Sequence, residues 1–170
     1  VIDRLGGKAP PDLPAQLVNA YSEPHRHYHT GRHIAECLML LDRYSKEAEQ
    51  PDAIELAIWF HDSVYETRKA DNEEASANWA HVALKTAGLA QDLVGRVVEM
   101  VLATKSHDGA DGDVRLMLDI DLSILGADPR AFSAYDEAIR KEYLWVPEVD
   151  YRAGRAKVLR SFLNRPNIYN

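Results

Sequence analysis

Two short stretches hold the residues best suited to chemistry in this 170-residue chain: Tyr28-His29-Thr30-Gly31-Arg32-His33 and His61-Asp62. They bring three imidazoles and a carboxylate into a sequence otherwise patterned as ordinary helices. Neutral imidazole and carboxylate together suit a borderline divalent ion such as Zn, Mn, Fe, Co or Ni, and an ion with few protein ligands keeps positions open for water and substrate. That chemistry points to hydrolysis. His33 falls just inside an expected helix and His29 one turn earlier, so helical geometry across both would raise the two rings on one face. His61-Asp62 closes the apolar run Ala57-Ile58-Trp59-Phe60, which pins the pair against the core.

The elements that must position these residues read as helices almost throughout. Leu13, Leu17, Val18 and Tyr21 form a first stripe that ends at Pro24, whose ring disfavours helix in the residue before it. Thr30 is the expected N-cap of a helix carrying Ile34, Leu38, Leu41 and Tyr44. Pro51-Asp52 opens the next, which buries Ile54, Ala57 and Ile58. Its end delivers His61 and Asp62, where a relaxed last turn lets two neighbours reach a common point although mid-helix they would diverge by about 100°. Asp71-Asn72-Glu73-Glu74 reads as a capping box for a helix through Trp79, Val82 and Ala83 to Gly88. A fifth stripe, Leu93 to Leu102, ends in Lys105-Ser106-His107-Asp108, and residues 108–113 read as an acidic loop. Beyond it, residues 116–125 are apolar on more than one side and belong at the centre, with Gly126 as the stop. Asp128-Pro129 starts a helix through Phe132, Tyr135, Ile139 and Tyr143. A last one follows Asp150 and is expected to bury Val158, Leu159, Phe162 and Leu163. The fold class is all-α: about eight helices in one compact domain spanning residues 1–170, with no alternating strand pattern, repeat or linker.

Asp121 is not explained by packing. A carboxylate between Ile120 and Leu122 costs free energy when buried unless a cation or a metal meets it. Asp119 competes for the role, but the two lie about 200° apart around a helix, so one at most faces the site, and Asp121 is the choice here.

Composition narrows the partners. A net charge of −7 with acidic residues spread along the chain offers no basic stripe for a nucleic-acid duplex. One or two well-placed cations can still hold a small phosphorylated substrate. The single cysteine, Cys37, lies between Ile34 and Leu41 at helical spacing and reads as a buried apolar thiol; it also excludes an intrachain disulfide. There is no membrane-length apolar run and no signal-peptide pattern at Val1 to Leu5, so a cytoplasmic location without membrane attachment is expected.

In order and spacing, His33, His61-Asp62 and Asp121 resemble the HD superfamily of metal-dependent phosphohydrolases, and most closely its small predicted-phosphohydrolase branch. The likeness extends to Tyr21-Ser22-Glu23-Pro24, Phe60-His61-Asp62-Ser63-Val64-Tyr65, Asp71-Asn72-Glu73-Glu74-Ala75-Ser76-Ala77 and Asp119-Ile120-Asp121-Leu122. It implies an all-helical HD-type bundle whose metal ligands are His33, His61, Asp62 and Asp121. It also implies one or two divalent ions, drawn from Mn, Co, Ni, Mg, Zn or Fe, and a small phosphate ester, such as a nucleotide, as substrate. Residues 28–33 are further similar to the YHNxxH segment of cyclic-nucleotide phosphodiesterases, with Thr30 in place of Asn. That makes His29 the expected general acid. Where HD proteins hold two metals an additional histidine often follows a helix, and His107 is placed to be that ligand, or to be a solvated histidine at a helix C-terminus. Lys105 and Arg32 are expected to meet negative charge, and Glu73 either orients water or joins Glu74 in capping. Arg140, Tyr143, Arg155 and Tyr169 could hold a phosphate or base, but packing and ion pairing are the default for them. Two other readings of the resemblance are a di-iron oxygenase and a noncatalytic metal or nucleotide sensor.

Overall fold

The apolar segment that ends in His61-Asp62 becomes the centre of the molecule. The computed structural model describes residues 1–109 and 111–169, so Ala110 in the expected acidic loop lies outside the described residues. Its helices are α1 (Leu13–Ala20), α2 (Gly31–Tyr44), α3 (Pro51–Phe60), α4 (Asn72–Thr86), α5 (Gln91–Ala103), α6 (Gly112–Asp121), α7 (Pro129–Glu142) and α8 (Glu148–Leu163), with a 3-10 turn at Leu122–Gly126. No strand occurs among the described residues, and the all-α expectation holds. Pro51 stands in the first turn of α3, where its missing N–H leaves no bond unmade. Ala53, Ile54, Leu56, Ala57, Ile58 and Phe60 are all buried. A helix apolar over most of its circumference has to be largely surrounded, and α2, α4, α5 and α6 pack about α3, leaving Asp52 and Glu55 to pair with Arg4 on the remaining face. At roughly 1.5–3 kcal/mol for each fully buried Ile, Leu or Phe, this packing holds the C-terminal end of α3 firmly in place.

The hairpin of α4 and α5 closes through Gly88, whose φ of +78° is left-handed. The Leu89 N–H donates to Leu84 O and the Gly88 N–H to Lys85 O, the two bonds of a Schellman cap. Longer-range ties fix α6. Asp113 is buried and accepts the N–H groups of Glu49 and Gln50 at 2.8 and 2.9 Å, joining the start of α6 to the start of α3.

Several local expectations are corrected. Thr30 takes the N-cap position of α2 without a capping side-chain bond, because its hydroxyl turns back toward Tyr28 O. The 71–74 box does not form: the Asp71 side chain makes no cap bond, and the Glu74 carboxylate pairs with Lys105 instead. The acidic loop is shorter than expected, since Asp111 caps α6 by accepting the Val114 N–H. The central helix changes to 3-10 geometry after Asp121 rather than running on to Leu125. Val18 is exposed. On α8 no residue is fully buried: Val158 lines a cavity instead of the core, and Leu163 is exposed at the end of the helix away from it.

Candidate metal centre

Four side chains from three separate helix ends meet beneath that cavity. His33 lies in the first turn of α2, His61 caps α3 with Asp62 just beyond it, and Asp121 ends α6. His33 Nε2 is 3.3 Å from His61 Nε2 and 3.1 Å from Asp121 Oδ1. His61 Nε2 is 3.1 Å from Asp62 Oδ2 and 3.4 Å from Asp121 Oδ1. On the other side of the same carboxylate, His107 Nε2 is 3.3 Å from Asp121 Oδ2. Asp119, two residues away, lines a different surface depression beside Tyr44 and Tyr169, so Asp121 is the residue that α6 turns toward the histidines.

The donor set fits a divalent ion. Ligand atoms held about 2.1 Å from one ion stand about 3.0–3.5 Å from each other, which is the spacing between His61 and each of the other three residues and between His33 and Asp121. Tautomers point the same way. His61 Nδ1 donates to the Ile58 carbonyl at 2.8 Å, which leaves Nε2 of the neutral ring as a lone pair facing two carboxylates and a second imidazole. Such a cluster of acceptors calls for a positive charge. Burial by itself would lower the His61 pKa, yet Asp62 and Asp121 push it well above the usual imidazole value. Burial would likewise raise both carboxylates, but the His61 charge beside them holds each well below the ordinary range. Cys37 packs its sulfur 3.7 Å from His33 Nδ1, and burial, then the nearby Asp121 and Asp62, push its thiol well up, so it stays neutral.

His29 stands outside α2 rather than one helical turn below His33, and it is oriented by a residue that sequence reasoning missed. Glu142, at the end of α7, is 5% exposed. Its Oε1 accepts the backbone N–H groups of His27, Tyr28 and His29 at 2.7, 2.7 and 3.1 Å, and its Oε2 accepts from His29 Nδ1 and the Tyr65 hydroxyl, both at 2.8 Å. Burial opposes ionisation, but the bond from His29 and these backbone donors bring Glu142 down to about 2. With Nδ1 committed, His29 Nε2 turns to the site, 3.9 Å from Asp62 Oδ2. Burial alone would lower its pKa; Asp62 and Glu142 outweigh this and raise it. A usable signal existed in the sequence: Glu142 continues the apolar stripe of Tyr135 and Ile139 at helical spacing, where a solvated carboxylate is out of place. Arg26 was missed as well. Its buried guanidinium donates to Asp62 O, Ser63 O and His29 O at 2.6, 3.2 and 3.3 Å, joining the His29 loop to the His61-Asp62 turn.

A cavity of about 650 Å³ opens above the cluster, lined by His29, Asp62, Glu73, Lys105, His107 and Asp121, with Tyr65, Tyr135, Tyr143 and Tyr151 in its walls. Glu73 therefore faces the site. Lys105 stands at the rim with its ammonium already engaged by Glu74 and by Ala70 O. Arg32 is corrected: its side chain is 87% exposed, pairs with Glu36 and does not line the cavity. Arg155 pairs with Asp136 while also lining the cavity, Arg140 pairs with Glu148, and the Tyr169 hydroxyl donates to Leu122 and Ser123 carbonyls away from the cavity.

No family model, curated protein or solved structure matches the chain.

Proposed function

We propose that the protein is a metal-dependent phosphohydrolase of the HD superfamily acting on a small phosphate ester, with nucleotides among the candidate substrates. The observation that carries this reading is the convergence of His33, Asp62 and Asp121 on His61 Nε2 at 3.1–3.4 Å, with Asp62 and Asp121 lining a cavity large enough for such a ligand. A divalent ion held by those four residues would supply Lewis acidity and a water acidic enough to ionise near neutral pH.

The remaining steps belong to side chains of this chain. Glu142 fixes the His29 tautomer and, with Asp62, favours the protonated ring, so that Nε2–H faces the cavity as a proton donor for a leaving oxygen. Arg26 keeps His29 and Asp62 in register through their carbonyl groups. Glu73 borders the cavity, where its carboxylate can accept from a water. Lys69 places positive charge at the rim for an anionic ligand, and Lys105 lines the same rim with its ammonium paired to Glu74.

Quantifying metals in protein purified without chelator, together with anaerobic phosphate release from nucleotide and sugar phosphates in the presence of Mn, Co, Ni or Mg, tests the reading. The expected result is bound divalent metal in the wild type, its loss in His61→Ala, and phosphate release without oxygen. A second reading, a di-iron oxygenase, is favoured by the placement of His107 beside Asp121. Two bound irons with activity that needs dioxygen and no phosphate release would decide for it. Absence of any stoichiometric metal would overturn both.

A further inference from the structure

His107 occupies a backbone position that ordinarily falls to glycine or asparagine. Its φ is +50°, and among the described residues no other non-glycine has a positive φ. Its N–H donates to Ala103 O at 2.8 Å, so it is the left-handed residue that closes the turn following α5. A β-substituted side chain is disfavoured there, and such a residue persists only where its surroundings determine it. What surrounds it comes from the far end of the chain. Arg165 donates from Nη1 to His107 O and from Nη2 to Ser106 O, both at 2.7 Å. The same guanidinium lies 4.9 Å over the Phe162 ring, and the His107 ring meets Phe162 edge-on with centroids 5.7 Å apart. The imidazole is thereby held with Nε2 at Asp121 Oδ2, while Asp121 Oδ1 serves His33 and His61. One carboxylate thus faces two separate groups of imidazoles, the arrangement a bridging ligand requires.

We propose that Arg165 and Phe162 are positioning residues for His107, and that through it the C-terminal end of α8 governs whether a second metal ion binds beside the first. The proposal rests on the metal reading above. Neither residue lines the cavity or touches the His33–His61–Asp62 group, so the effect is confined to the second position. A lysine at 165 cannot replace the arginine, because a single ammonium does not span two carbonyls as a planar guanidinium does.

The test is titration of metal-stripped full-length protein with Mn(II), reading free Mn(II) by electron paramagnetic resonance, with thermal melting of the stripped protein alongside. Wild type is expected to bind two ions per chain. In Arg165→Met and Phe162→Leu the weaker ion should lose at least tenfold in affinity, as in His107→Ala, while the tighter ion changes less than twofold; Arg165→Lys should restore little. Two ions at wild-type affinity in both Arg165→Met and Phe162→Leu would overturn the proposal. So would a parallel loss at both positions with a lowered melting temperature, which marks a general structural role. A wild type that binds one ion, indifferent to His107→Ala, would remove the second position and this proposal while sparing the metal reading. A wild type that binds none would remove both.

Discussion

At the scale of single residues, the pair His29–Glu142 ties the proposed chemistry to a measurable pH dependence. His29→Ala is expected to leave bound metal near the wild-type level while lowering turnover by about a hundredfold to ten-thousandfold, the range for a lost general acid; metal quantification beside steady-state kinetics checks it. Glu142→Gln tests the orienting role separately. The carboxylate helps to raise the His29 pKa, and a general acid works while protonated, so activity falls as pH rises through that value. Removing the charge should move the alkaline limb of the kcat profile to lower pH. An unmoved limb would assign the proton donor elsewhere.

Helix ends decide what the elements can hold. Thr30, Asp71 and Asp128 look alike as caps in the sequence, but only the last accepts backbone N–H groups, those of Arg130 and Ala131 at 2.9 and 3.1 Å. Asp128→Ala should therefore cost about 1 kcal/mol, or about 2–4 °C in melting temperature for a chain of this size. Asp71→Ala should stay within about 0.5 kcal/mol, as for an ordinary surface change. Equal losses in denaturant unfolding would contradict the assignment. The same logic applies to the candidate ligands: α3 stops at Phe60 just before His61 and Asp62, and the change to 3-10 geometry after Asp121 ends the α-helical run of α6 at the carboxylate that meets the histidines.

For the molecule as a whole, stability should follow both pH and metal. Glu142 sits at about 2 in the folded protein against an ordinary value of 4.5. Its contribution, about 3 kcal/mol, is present above pH 4.5 and is lost as pH falls toward 2. Glu142→Gln should lose stability at neutral pH and show a flatter acid-unfolding profile between those limits. A divalent ion bound only by the folded chain adds RT ln(1 + [L]/Kd), about 2.7 kcal/mol at a hundredfold excess over Kd. Melting temperature should then rise by roughly 5–10 °C on saturation with metal, and His61→Ala should abolish the response.

The sequence by itself determined the helical class, the number and approximate place of the main helices, the burial of Cys37 and the segments that carry His33, His61, Asp62 and Asp121, because apolar periodicity and punctuation by proline and glycine are local signals. It also singled out Asp121, since a carboxylate in an apolar stretch is a local anomaly. Placing His107 beside Asp121 and joining Glu142 to His29 across 113 residues were decided only by the tertiary structure. The exposure of Val158 was decided there too: periodicity marks an apolar face, but whether a core or a cavity lies opposite depends on how the other helices pack. A histidine becomes a ligand or a proton donor through what meets its second nitrogen, and for His29 that partner, Glu142, comes from a helix the chain reaches more than a hundred residues later.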